Sequence, residues 1–177
     1  MAVGHVRYST TGASNPKNIQ PFLVRHKKGH IAIAHNGNLI NTYQLYNELE
    51  HKGSIFQTTM DSEIIAHLLA RSGKDKIEEM LAESLSELEG AYSLVLILGD
   101  LLVGARDPYG WRPLCLGKLN GSYVLASETC ALDLIQAQYI RDIEPGEVVL
   151  IDKDKLKSIN ISNRAFFPNA RKACCVF

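Results

Sequence analysis

Arg7, the Asn36-Gly37 pair and Asp61 are the residues of this chain best suited to hold a small amino acid and act on it. They stand in three short segments: Gly4-His5-Val6-Arg7-Tyr8-Ser9-Thr10-Thr11-Gly12, His35-Asn36-Gly37-Asn38, and Thr58-Thr59-Met60-Asp61-Ser62-Glu63. A planar guanidinium grips a carboxylate with two parallel hydrogen bonds, and the hydroxyls of Thr10 and Thr11 can complete the acceptor's shell. The side-chain amide of Asn36 and the backbone N–H of Gly37 can both aim at a developing oxyanion, where one donor is worth ~10²–10³ in rate. Asp61 can hold an ammonium. Each residue also has a plainer reading. Arg7 can be a surface ion-pair partner, Asn-Gly is the commonest tight-turn pair, and Asp61 can be the N-cap of a helix. His5 and His35 invite a general-base role, yet no nucleophile lies near either in sequence, and both read as structural. No cysteine, serine or threonine heads the chain to attack a substrate, so the segments read as a pocket without its nucleophile.

The elements that must position these residues follow from periodicity. Ile31 to Ala34 reads as a short buried strand delivering His35-Asn36-Gly37 into a turn. Asn41 with Gln44 three residues on resembles a capping box, opening a helix through about Glu50 that Gly53 closes. Thr59 or Asp61 starts the next helix, with Ile64, Ile65, Leu68 and Leu69 on its apolar face and Glu63, His67 and Arg71 on a solvated one. In a third helix Ile77, Met80, Leu81, Leu85 and Leu88 line one side, against Glu78, Glu79, Glu83 and Glu87. The period then changes to two. Ala91–Leu98 and Leu101–Ala105 pair about Gly99-Asp100, and Leu114–Lys118 and Tyr123–Ala126 about Asn120-Gly121. A short helix is expected over Thr129–Gln136, then a strand over Glu147–Ile151 that Leu156–Ile161 can join. Helices followed by an antiparallel run predict an α+β architecture in which helical layers cover sheets.

Composition narrows the functions available. With 177 residues and 46% hydrophobic content the chain suits one domain with a real core. Nineteen basic residues balance nineteen acidic ones with no polybasic block, which argues against nucleic acid or an anionic membrane surface as partner. The longest apolar run, Tyr92 to Leu98, falls far short of the ~20 residues of a membrane helix, and no signal-peptide pattern opens the chain. A cytoplasmic location is expected. The four cysteines, at 115, 130, 174 and 175, make no disulfide framework and no CxxC spacing. Cys115 and Cys130 sit among apolar neighbours and read as small buried side chains. Both ends look like cuts: Met1-Ala2-Val3-Gly4 leads at once into a dense motif, and Ala173-Cys174-Cys175-Val176-Phe177 is an apolar beginning of something further.

Taken together, the Gly-His-x-Arg, Asn-Gly and downstream Asp segments resemble the class II glutamine amidotransferases, which have the N-terminal-nucleophile hydrolase fold. Asp107-Pro108-Tyr109-Gly110-Trp111-Arg112-Pro113-Leu114 and Ala126-Ser127-Glu128-Thr129-Cys130-Ala131-Leu132 are similar to the branch that joins ammonia to a phosphoribosyl group in purine synthesis, rather than the glucosamine- or asparagine-forming branches. The resemblance implies a four-layer αββα sandwich, incomplete here, with residues 1–172 a partial glutaminase domain and 173–177 the start of a junction to a phosphoribosyltransferase domain. It implies that Arg7, with Thr10, binds the glutamine α-carboxylate, Asp61 the α-ammonium, and Asn36 and Gly37 the oxyanion. The family's nucleophile is an N-terminal cysteine whose own α-amine, titrating near pH 8, can act as base. None of the four cysteines here can replace it, since each carries an ordinary peptide nitrogen. The chain by itself is therefore expected to be inactive. The loop from Tyr109 to Arg112 reads as scaffold or domain contact. Cys175 falls where one subgroup places an iron–sulfur ligand, its plainer reading being a shielded thiol. No cofactor is expected in this segment, and a 4Fe–4S cluster and Mg are expected only with the intact enzyme. That enzyme would bind phosphoribosyl pyrophosphate and form a homo-oligomer. Two readings compete: a non-catalytic glutamine-binding or regulatory module, and the glutaminase of another class II branch.

Overall fold

Strands that are apolar at successive positions must be covered on both faces, and this decides the layering. The computed structural model describes residues 1–6, 16–27 and 29–161. After a single 3₁₀ turn at Pro16–Asn18 come β1 (Phe22–His26), β2 (Gly29–Leu39), α1 (Thr42–His51), α2 (Asp61–Arg71) and α3 (Ile77–Ser86). Then follow β3 (Gly90–Leu98), β4 (Leu101–Arg106), β5 (Cys115–Leu119), β6 (Ser122–Ala126), α4 (Thr129–Leu134), β7 (Gln138–Asp142), β8 (Glu147–Asp152) and β9 (Lys155–Asn160). One sheet has the order β1-β2-β3-β4-β8-β9 and a smaller one β6-β5-β7. Neighbours in both are antiparallel.

Alternate residues of the large sheet face different layers. Ile31 and Ile33 of β2, Leu94 and Leu96 of β3, and Val148 and Leu150 of β8 pack beneath α1–α3 with Leu45, Leu49, Ile65, Leu69, Leu81 and Leu85. The intervening Val95, Leu102, Val149 and Ile151 meet Leu116, Tyr123 and Leu125 of the small sheet and Leu114 just before β5. The far face of that sheet, through Cys115, Leu119 and Val124, is closed by Leu132 of α4. Among the described residues, three helices, the large sheet, the small sheet and the short helix α4 make the αββα sandwich. The predicted hairpins are present in register, Leu98 opposite Leu101 and Leu119 opposite Ser122.

Several expectations need correction. β2 does not stop at Ala34: it runs through His35, Asn36, Gly37 and Asn38 to Leu39, paired with β3 throughout. The turn expected at Asn36-Gly37 is thus continuous strand, because the ladder to Ala91–Ser93 satisfies the backbone better than a turn would. The capping box at Asn41 does not form. Asn41 spends its side chain across the fold, donating to the Glu87 carbonyl (2.9 Å) and accepting from the Glu89 N–H (3.1 Å), while Gln44 donates to Glu48. Glu63 is buried, not solvated, and His67 is half-buried against Phe56, so only Arg71 of that trio is exposed. Cys115 is buried as expected, whereas Cys130 is exposed. Helix α4 ends at Leu134, short of Gln136. Strands β1 and β7, both at sheet edges, lack the apolar alternation that would have announced them.

Candidate functional site

The end of β2 and the start of α2 share one wall of a cavity of about 1010 Å³ that opens between the two sheets. Asn36 enters from the face of β2 that looks toward the small sheet, beside Ala34, Ser93 and Val95. Among the described residues its side-chain amide has no hydrogen-bond partner, which leaves it available as a donor to a ligand. Gly37 comes next and packs against β3 so closely that a Cβ would lie 2.0 Å from the Ala91 carbonyl oxygen. Only glycine lets the two backbones pair there.

Asp61 is the first residue of α2, the N-cap being Met60 with no side-chain cap. Its carboxylate is therefore not spent as a conventional N-cap. It is buried; Oδ1 takes a contact from His35 Nδ1 at 3.1 Å, while Oδ2 has no hydrogen-bond partner. Burial pushes the Asp61 carboxyl up, but the His35 hydrogen bond and charge, with the backbone N–H groups of Leu39 and Ser62, outweigh it and hold the group below the usual range. A buried carboxylate kept ionised with one bare oxygen is a receptor for a cation. The N-terminus of α2 favours the same negative charge.

A built turn holds Asp61 in place. Glu63 accepts from the backbone N–H groups of Gln57 (2.8 Å) and Thr58 (2.7 Å) and from the Thr58 hydroxyl (2.7 Å). The Thr58 hydroxyl in turn accepts from the Met60 N–H. Buried Asn18 brackets Thr59, donating to its hydroxyl at 3.0 Å and accepting from its N–H at 3.3 Å. Gln20 takes the His35 N–H at 2.7 Å, beyond the point where the β1–β2 pairing ends at Phe22 and Ile33. Sequence reasoning missed Asn18, Gln20 and Glu63 in these roles. Only Glu63 carried a signal, standing at the third helical position, from which a capping-box glutamate reaches back to backbone N–H groups.

The opposite wall is just as rigid. Fully buried Asp107 accepts from the N–H groups of Tyr109, Trp111 and Arg112. Arg106 donates to the carbonyls of Arg112 (2.7 Å), Gly110 (2.8 Å) and Ile143 (2.7 Å). This brings Arg112 to the cavity and leaves Tyr109 and Trp111 facing solvent. Cys130 and Glu128 complete the rim, and their hydrogen bond pushes the thiol up, away from the nucleophilic thiolate form.

Of the residues singled out in the sequence, Asn36, Gly37 and Asp61 share this cavity, while Arg7, Thr10 and Cys175 lie outside the described residues. An iron–sulfur cluster takes four thiolates as a rule, and the described cysteines, Cys115 and Cys130, offer no such set. No group of three or more potential metal ligands occurs among the described residues.

Comparison with known proteins gives this arrangement its class. The family model described as "Glutamine amidotransferase domain" matches residues 5–134, and the chain belongs to that family. Within it, the chain is 48% identical over 177 residues to amidophosphoribosyltransferase 1, chloroplastic, of Arabidopsis thaliana, covering 99% of this chain and 30% of that protein. It is 46% identical over 162 residues to the amidophosphoribosyltransferase of Bacillus subtilis, covering 91% of this chain and 34% of the other. The solved structure of the B. subtilis glutamine phosphoribosylpyrophosphate amidotransferase, complexed with ADP and GMP, superposes with a TM-score of 0.84 at 45% identity, over 90% of this chain and 34% of that one. The fold is that of the N-terminal-nucleophile hydrolases. The chain spans about a third of the length of these relatives.

Proposed function

We propose that this chain is the glutamine-hydrolysing part of an amidophosphoribosyltransferase, releasing ammonia for the formation of 5-phosphoribosylamine in purine biosynthesis. One observation carries the reading: the buried Oδ2 of Asp61 and the amide of Asn36, both without a partner among the described residues, line the same cavity. A free amino acid with a side-chain amide needs both an anion for its ammonium and a donor for the oxyanion that forms on the amide. Glutamine would lie with its α-ammonium on Asp61, its α-carboxylate on Arg7 and Thr10, and its side-chain carbonyl toward Asn36 and the N–H of Gly37. The attacking thiol is an N-terminal cysteine outside these 177 residues. Its sulfur adds to the amide carbon, the C=O electrons move onto the oxygen, and Asn36 and Gly37 hold that oxyanion. The cysteine's free α-amine takes the thiol proton during this attack and passes it to the departing amide nitrogen. Collapse then breaks the C–N bond and releases ammonia, and water cleaves the thioester to glutamate and the free thiol. In this reading residues 1–172 are glutaminase domain. The whole protein is a cytoplasmic homo-oligomer that uses phosphoribosyl pyrophosphate and Mg²⁺ in a separate domain, and Cys175 would serve a cluster only in an iron–sulfur-bearing member of the family.

The test compares two nitrogen sources in the full-length protein. Asn36→Ala should lower kcat with glutamine by ~10²–10³ and move KM little, because the donor acts in the transition state. Turnover with added ammonia should persist. Equal loss with both nitrogen sources would show that Asn36 holds the fold and would remove the assignment.

A further inference from the structure

We infer that His35 is a positioning residue for substrate recognition, its ring holding the Asp61 carboxylate so that Oδ2 alone is offered to the α-ammonium of the ligand. The inference rests on the proposed role of Asp61 and adds a residue that sequence reasoning had assigned to structure alone.

Consecutive residues of β2 point to opposite faces. Asn36 looks toward the small sheet, and His35 looks toward the helices and meets the first residue of α2. The strand thus carries an oxyanion donor and an ammonium-site support side by side. His35 itself cannot drift. Its side chain is 1% exposed, its backbone is paired with Leu94, and its N–H is taken by Gln20. A carboxylate has about four lone-pair sites and rotates freely unless something pins it. The contact from Nδ1 to Oδ1 at 3.1 Å is the side-chain contact that pins the group, beside the backbone N–H groups of Leu39 and Ser62. Neither Oδ2 nor His35 Nε2 has a partner among the described residues, so the pair is not a closed structural ion pair. Leaving a buried acceptor unmade is costly, and a ligand ammonium at Oδ2 removes that cost.

The geometry makes an unusual demand on substitutions. The amide nitrogen of an asparagine sits close to the place of Nδ1 in a histidine, whereas that of a glutamine reaches out to the place of Nε2. His35→Asn should therefore keep the hydrogen bond to Asp61, and His35→Gln should lose it, although glutamine is nearer in volume. The experiment measures hydrolysis by the full-length protein of glutamine and of the analogue lacking the α-amine. In His35→Gln, kcat/KM for glutamine should fall roughly tenfold or more, the scale of a hydrogen bond to a charged group. The loss should appear mainly in KM, while the deaminated analogue is used as before. In His35→Asn, discrimination between the two substrates should stay near wild type. Similar behaviour of the two variants, or equal loss on both substrates, would overturn the role of His35. Asp61→Asn serves as the reference: if that variant still prefers glutamine over the analogue by the wild-type factor, the ammonium site itself has been misassigned. Melting curves of both His35 variants separate a folding defect from a recognition defect. A misfolded His35→Asn beside a folded, discriminating His35→Gln would equally refute the proposal.

Discussion

Adding one methyl group at Gly37 should unfold much of what lies around the cavity. In Gly37→Ala the new Cβ would stand 2.0 Å from the Ala91 carbonyl oxygen, 2.8 Å from its carbon and 2.9 Å from Tyr92 Cα. All three are backbone atoms, so no side chain can swing aside. Relief requires β3 to move by about an ångström or more, and β3 is bonded to β2 on one side and β4 on the other. Overpacking of this kind costs about 1–3 kcal/mol. The ladder bonds lost beside Gly37 add about 1 kcal/mol each, and the positive φ of 150° adds strain for a residue with a Cβ. The sum is roughly 3–5 kcal/mol, or a fall in Tm of about 6–20 °C for a domain of this size. Gly53→Ala is the control. There φ is 88° but nothing lies within 4 Å, so only the backbone term of about 1–2 kcal/mol remains. Urea unfolding followed by circular dichroism, with thermal melts of both variants, measures the difference. Equal losses in the two variants would mean that Gly37 occupies an open turn after all, and the strand reading of the oxyanion segment would fall with it.

Two further outcomes test the turn that holds Asp61 and, away from the cavity, the buried Glu147 at the start of β8. Glu63→Gln should cost about 2–3 kcal/mol in the same unfolding assay, because an amide offers N–H groups to the N–H donors of Gln57 and Thr58. A change of a few tenths would restore Glu63 to a solvated face. At Glu147, burial pushes the carboxyl up, but hydrogen bonds from Arg141, Ser158 and the Glu144 N–H prevail and hold it below the usual range. A depressed carboxylate stabilises the fold above its unfolded pKa, and that contribution disappears as the pH falls through the folded value. The stability gap between wild type and Glu147→Gln should thus be full at neutral pH and shrink once the pH drops below the ordinary carboxylate range. A gap that stays constant with pH would show that Glu147 is not linked in this way.

What could be read along the chain was whatever neighbouring residues decide among themselves. The apolar stripe of α3 repeats at helical spacing, so Met80, Leu81 and Leu85 are buried where the period places them. Gly99-Asp100 and Asn120-Gly121 make hairpins because those pairs suit tight turns without help from elsewhere. The segments bearing Asn36 and Asp61 were recognisable by residue type and order. Tertiary structure decided the rest wherever a partner is distant in sequence or a local preference has a rival. Asn36-Gly37 has turn chemistry, yet β3 approaches so closely that the chain stays extended. Glu63 has the spacing of a solvated helix face, but a folded-back loop supplies it with three donors. Edge strand β7 has no apolar alternation and exists because β5 pairs with it. His35 and Asp61 are 26 residues apart, and no periodicity links a strand residue to the first turn of a later helix. Local propensity is a property of a few consecutive residues, whereas the bare oxygen of Asp61 is created only when β2 and α2 pack together.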